Sequence, residues 1–306
     1  MGDPTHFSVK GGANPHTRTR WGTKRHVDRE RAIAQWHRLK DTLEDLGIRV
    51  LVVPPDAAQP GLVYPANAGI MLDVDTPRPL AQKHFYLSNL LPSRAREKAH
   101  YRRLLDRVGI RCFDIDDALR FEGEADFFPA AQRYLFTHGQ LERQRFVPHL
   151  GFPPWKRVYG FRTDRRVRDL VIPLVAPKEI LRIELVLEAH YHGDTALCAF
   201  GPAREHLLVY RKALAVAGWD LVRQVFRDAV IELSEEDARR YAANSFTYTP
   251  SNDSRNSYLF MPDGVSERLL AEICERGVTP ITVDVSEFLK KGGGSVKCMI
   301  GDLGEV

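Results

Sequence analysis

Between residues 27 and 47 the apolar positions Ala32, Ile33, Trp36, Leu39, Leu43 and Leu46 recur every three or four residues, and the run closes on Gly47. That spacing puts them on one stripe and predicts an amphipathic helix with a glycine C-cap. IRVLVVPP follows, apolar until Pro54 and Pro55, and reads as a buried strand stopped by proline. The same alternation returns at residues 96–115 and again at 266–288. Each unit leads into a polar, loop-like stretch: LVYPANAG, FEGEADFF and SEFLKKGGGSVKCM. Three to five such units predict an α/β fold made of repeated supersecondary pieces whose loops meet at one place. Residues 129–159 break the rhythm with mixed aromatic, basic and proline residues, and read as a long excursion from the core.

Length and composition narrow the class. A chain of 306 residues, 43% hydrophobic and 27% charged, can bury a sizeable core and is neither disordered nor a coiled coil. Its 44 Lys and Arg against 40 Asp and Glu leave +4, too small an excess to argue for nucleic acid or an anionic membrane as partner. Small-molecule chemistry is the better expectation. Cys112, Cys198, Cys274 and Cys298 are far apart and show no metal-ligand spacing, so reduced thiols are expected. The opening MGDPTHFSVKGG lacks the apolar core of a secretory signal and no stretch approaches 18 apolar residues, which makes cytoplasmic the default address.

Three places can carry chemistry. Cys298 follows three glycines, with Lys290, Lys291 and Lys297 supplying positive charge that would favour a thiolate; a buried, inert cysteine in a glycine loop fits that segment equally well. The segment after the glycines is strand-like. His192 and Asp194 are two apart, so in an extended segment both side chains face one cavity, with His190 a competing acid/base. Glu122, Glu124 and Asp126 follow the apolar Phe121, and acids there suit a cationic substrate that needs carboxylates on its N–H groups.

Taken in order, eight motifs resemble the guanidino-group-modifying enzyme superfamily: ANPH at Asn14, VYPANAG at Asn67, the RxxE of Arg94 to Glu97, FEGEAD at Glu122, GFRTDRR at Arg162, HGDTAL at His192, AANS at Asn244 and the segment ending at Cys298. The resemblance covers nearly the whole chain. It implies an α/β propeller (pentein) of five ββαβ-like repeats about a pseudo-fivefold axis, as one catalytic domain over residues 1–306. By similarity Cys298 is the nucleophile and His192 the general acid/base, with Glu122 beside them in the catalytic set. Asp194 and Glu122 would hold the guanidinium, Asn67 stands where many members have another acid, Arg94 and Arg162 would face the substrate's carboxylate, and Asn14 would orient its amino group or reacting carbon. Asp126 and Asn244 join the substrate-binding set. The chain departs from the family with Gly193 in place of a leucine and Ala125 in place of a glycine.

The resemblance implies a hydrolase that cuts C–N bonds of arginine or a related guanidino compound through a covalent thiouronium, as a dihydrolase or deiminase. Alternatives are an amidinotransferase, a dimethylarginine dimethylaminohydrolase, or a binding protein that kept the fold and lost turnover. No metal or organic cofactor is implied, and a homo-oligomer is left open.

Overall fold

A computed structural model of the chain describes residues 1–9, 17, 25–146, 156–250 and 256–305. The first helix, α1 (Arg29–Asp45), begins where the Asp28 side chain accepts from the Arg31 amide and ends ahead of Gly47, as the pattern predicts. Ala32, Trp36, Leu39 and Leu43 are buried, while Ile33 and Leu46 lie at the edge of the stripe.

The strand expected after α1 is reduced to a single parallel bridge between Val53 and Gly2, flanked by bonds from the Val53 amide to Met1 and from the Asp3 amide to Val53. Only Val53 of this stretch is fully buried. Ile48, Val50 and Val52 pack against the core beneath α1, and the segment also borders a groove of about 440 Å³ that Tyr101, Leu104 and Leu105 line as well.

Four three-stranded sheets then repeat one plan, in which the first two strands are antiparallel and the third returns parallel to the second after a helix. The first contains β1 (Gly69–Met71), β2 (His84–Leu87), α2 (Glu97–Arg107) and β3 (Arg111–Asp114). The second contains β4 (Phe127–Ala130) and β5 (Arg133–His138), then a separate hairpin of β6 (Arg143–Phe146) and β7 (Lys156–Tyr159), then α3 (Val167–Val175) and β8 (Glu179–Glu184). The third comprises β9 (Leu197–Phe200), β10 (His206–Val209), α4 (Val216–Phe226) and β11 (Val230–Glu232), followed by the short α5 (Glu235–Arg239). The fourth comprises β12 (Phe246–Tyr248), β13 (Ser257–Pro262), α6 (Glu267–Cys274) and β14 (Val278–Val283), with α7 (Ser286–Gly292) after it. A parallel return cannot be made by a tight turn, so each unit needs its crossover helix.

Those helices also join successive sheets. Trp219 and Val222 of α4 share a core with Ile183 of β8 and Leu207 of β10, and Leu269 and Ile273 of α6 share one with Leu208 of β10 and Leu259 of β13. Each helix is thereby wedged between its own sheet and the preceding one.

Two expectations change here. The excursion does not begin at residue 129, because residues 127–138 are β4 and β5 with Leu135 and Phe136 fully buried. Pro129, which hid the pattern, sits on an edge strand, where proline is tolerated. What remains is the β6–β7 hairpin, and residues 147–155 of the expected excursion lie outside the described ones. The stretch read as a loop before Cys298 is partly the helix α7, and Cys298 itself lies in a 3-10 turn, Lys297–Met299, not in a strand.

The plan also fixes where the loops go. A tight turn stands just ahead of the first strand of every sheet: Pro65–Asn67 before β1, Gly123–Ala125 before β4, Gly193–Thr195 before β9, and residues 241–245 before β12. The Lys297–Met299 turn holds the same place ahead of the last segment. Gly123 allows two of these turns to meet, since its φ is +66° and a Cβ there would lie 2.5 Å from the Gly69 carbonyl oxygen.

Candidate active site

Residues far apart in sequence are neighbours because they sit on those turns. Cys298 Sγ lies 3.6 Å from Asp194 Oδ2. Asn244 holds the two turns together: its Oδ1 accepts from the Ser295 and Cys298 amides at 2.8 and 3.1 Å, and its Nδ2 donates to the Asp194 carbonyl at 3.3 Å. Across from them His192 Nε2 is 2.8 Å from Glu122 Oε2. Arg94 Nη1 donates to Asn67 Oδ1 at 2.8 Å and lies 3.7 Å from Glu122 Oε2, while its Nε and Nη2 clamp Glu97 at 3.0 and 2.8 Å. Cys298, Asp194, Glu122, His192 and Asn67 are each no more than 4% exposed.

His192 and Asp194 reach one place without a continuous strand, since His192 is extended and Gly193 starts a 3-10 turn. A Cβ on residue 193 would come within 2.2 Å of Thr137 Oγ1, so the leucine usual in the family has no room beside this threonine.

The charges are unequal. Burial alone would raise Glu122, but the hydrogen bond and charge of His192, with Arg94 and Arg162 behind, hold it at about 2. Burial alone would lower His192, and Glu122 and Asp126 overcome that and raise it, so the pair rests as imidazolium and carboxylate. Asp194 is pushed up to about 6 by burial, with His192 opposing and Asp126 adding. Burial and the neighbouring Asp194 raise the Cys298 thiol well above its ordinary range.

Three buried side-chain atoms in this group have no hydrogen-bond partner among the described residues: Asp194 Oδ1, Glu122 Oε1 and Asn67 Nδ2. Two carboxylate oxygens and one amide N–H₂ suit a small polar ligand carrying N–H groups for the first two and an acceptor for the third.

The structure revises several sequence expectations. The lysines near Cys298 are engaged elsewhere: Lys290 on Glu287, Lys291 on the Pro60 carbonyl and Lys297 on Glu124. Asp126 does not offer its oxygens to a ligand, because Thr137 and the Gly193 amide occupy Oδ1 and Thr163 occupies Oδ2, at 2.6, 2.9 and 2.6 Å. Asn244 is likewise committed to the protein and orients the turn that carries Cys298. Arg94 is placed as a brace for Asn67 and Glu122. The buried Arg162 stands over the Tyr191 ring at 4.8 Å. His190 is tied to the Thr195 carbonyl at 2.8 Å and lies near the Tyr210 and Tyr241 rings. Asn14 lies outside the described residues. Thr137 and Thr163 gave no sequence signal, Glu97 lay inside a quoted motif without a role, and Glu124, read with Glu122 and Asp126 as an acid for a cationic substrate, is engaged by Lys297 and the Asp302 amide.

The chain is similar to known proteins over most of its length. The family model described as N,N dimethylarginine dimethylhydrolase, eukaryotic, matches residues 212–304. The N(G),N(G)-dimethylarginine dimethylaminohydrolase of Mycobacterium tuberculosis is 29% identical over 97% of this chain and 83% of its own. The bifunctional arginine dihydrolase/ornithine cyclodeaminase ArgZ of a Synechocystis species is 25% identical over 98% of this chain, which spans 36% of that enzyme. The crystal structure of the ArgZ N-terminal domain bound to substrate superimposes with a TM-score of 0.80 at 23% identity, over all of this chain and 97% of that one. A dimethylarginine dimethylaminohydrolase adduct with S-methyl-L-thiocitrulline gives 0.68 at 19% identity, over 97% of this chain and 96% of that one. Over nearly its whole length the chain is similar to hydrolases of guanidino C–N bonds, which supports a place in the guanidino-group-modifying enzyme superfamily.

Proposed function

We propose that the protein hydrolyses arginine through a covalent S-alkylthiouronium on Cys298 and carries the reaction to ornithine, ammonia and carbon dioxide. The observation that carries this reading is the set of three unpartnered atoms around the thiol, with an amide donor among them. In keeping with the family, the four sheets and the Gly2–Val53 bridge are read as five blades of a propeller in one catalytic domain.

The chemistry follows from the charges. A guanidinium set between Asp194 Oδ1 and Glu122 Oε1 supplies the positive charge the site lacks, which lets the thiol lose its proton to solvent as substrate enters. The thiolate adds to the guanidinium carbon, forming the S–C bond. His192 gives its proton to one NH₂ group, which leaves as ammonia when its C–N bond breaks. Neutral His192 then takes a proton from water as hydroxide adds to the thiouronium carbon. Collapse breaks the S–C bond, releases the ureido product and a proton, and returns the thiolate.

Asn67 sets how far the reaction goes. Arg94 occupies its Oδ1, so the face left free is a donor, and a donor fits a ureido oxygen and not a guanidinium N–H. The ureido group can then stay for a second attack, which expels the second ammonia and leaves a thiocarbamate that water converts to a carbamate, the source of amine and carbon dioxide.

A second reading, hydrolysis of dimethylarginine to citrulline and dimethylamine, is favoured by the mycobacterial relative, of which the chain covers 83%. A time course on arginine and on dimethylarginine, with all products identified, separates them. Ornithine and carbon dioxide from arginine support the dihydrolase. Citrulline as sole end product excludes it, and dimethylamine supports the second reading.

A further inference from the structure

The three acids of FEGEAD do different work. Glu122 faces His192 and Asp126 holds the Gly193 amide, as above. Glu124 points to the nucleophile's own turn, where its Oε2 accepts from Lys297 Nζ at 2.8 Å and its Oε1 from the Asp302 amide at 2.9 Å. The two contacts bracket Cys298 in sequence. Glu124, Lys297, Asp302, Arg204 and Asp194 all line one cavity of about 40 Å³, water-sized, so little protein separates the Lys297 ammonium from the Asp194 carboxylate.

We propose that Glu124 is a positioning residue for the nucleophile: it fastens both flanks of the Cys298 turn and neutralises Lys297, the cation that shares a cavity with Asp194. The proposal deepens the hydrolase reading and rests on it for the role of Cys298. The charged groups around Glu124 are Lys297, Asp302 and, at longer range, the Met1 ammonium, with Arg204 acting on Lys297. Burial opposes the Glu124 carboxylate, and its ion-pair partner Lys297, 2.8 Å away, sustains it, while Lys297 in turn pulls Asp194 down. Deleting either partner of the pair therefore acts on Asp194 in opposite directions. Glu124→Gln leaves an uncompensated cation and favours the Asp194 carboxylate, whereas Lys297→Met removes the cation and favours its acid form.

The test is the pH profile of kcat/KM for arginine in both variants, beside the pH dependence of iodoacetamide alkylation at Cys298, located by peptide mapping. The acidic limb is expected to move down by roughly 1 pH unit in Glu124→Gln and up by a similar amount in Lys297→Met. Limbs that stay in place, or move together, overturn the proposal even if both variants lose activity. If no guanidino compound is turned over, the function fails by itself, and the alkylation profiles still decide: equal profiles in wild type and both variants overturn the role of Glu124, and profiles displaced in opposite directions uphold it.

Discussion

Glu122 and Asp194 are both buried within reach of the charge on His192, each with one oxygen unpartnered among the described residues, yet they are shifted in opposite directions. Glu122 has an imidazolium in hydrogen-bond contact and two guanidinium groups behind it, and is held at about 2. Asp194 has a thiol 3.6 Å away and only more distant cations, and burial takes it to about 6. Burial alone therefore does not set the charge of a carboxylate here; the partner on the far oxygen does. Glu122 is a standing counter-ion for His192, and in the proposed reaction Asp194 is the carboxylate that a cationic substrate completes.

Removing the nucleophile ends the comparison. Cys298→Ser should reduce turnover to background while arginine binding, followed by calorimetry, persists, because a hydroxyl stays protonated at neutral pH. The two carboxylates should then separate by kinetic parameter. Glu122→Gln should lower kcat by about 10²-fold with a smaller change in KM, since it strips His192 of the charge that keeps it an imidazolium. Asp194→Asn should act first on KM and should remove the acidic limb of the profile. In the unmutated enzyme kcat/KM should rise as pH passes upward through about 6, because the Asp194 carboxylate that receives the cation forms there and is lost below. A limb retained in Asp194→Asn would assign it to another group.

Asn67→Asp should cost less in rate and show in the products, with citrulline replacing ornithine because an ionised carboxylate offers no donor to the ureido oxygen. Unchanged product ratios would take that role from Asn67. The smallest effect belongs to Cys274→Ala. Cys198 is buried and Cys112 half-buried, whereas Cys274 is exposed at the end of α6. Its loss should move neither the melting temperature nor kcat.

Much of this was legible in the chain. The stripe from Ala32 to Leu43 and the helix–strand rhythm could be read from periodicity, and the family resemblance is what pointed to Cys298, His192, Glu122, Asp194 and Asn67 together. Partners could not. Asp126 and Asn244 have the chemistry of ligand-binding residues, and only the fold shows that backbone amides and threonine hydroxyls consume them. The three lysines beside Cys298 promised a thiolate, yet each is engaged with a carboxylate or carbonyl set by the fold. The 129–138 stretch was misread because Pro129 and the basic residues masked strand alternation at a sheet edge.

The central claim is a covalent bond between Cys298 and the guanidino carbon, and intact-mass analysis of acid-quenched His192→Gly after exposure to arginine tests it most directly. Without His192 to activate water, the thiouronium should accumulate, and peptide mapping should place the added mass on Cys298. An unmodified Cys298 under conditions where product forms, or an adduct on any other cysteine, would contradict the account.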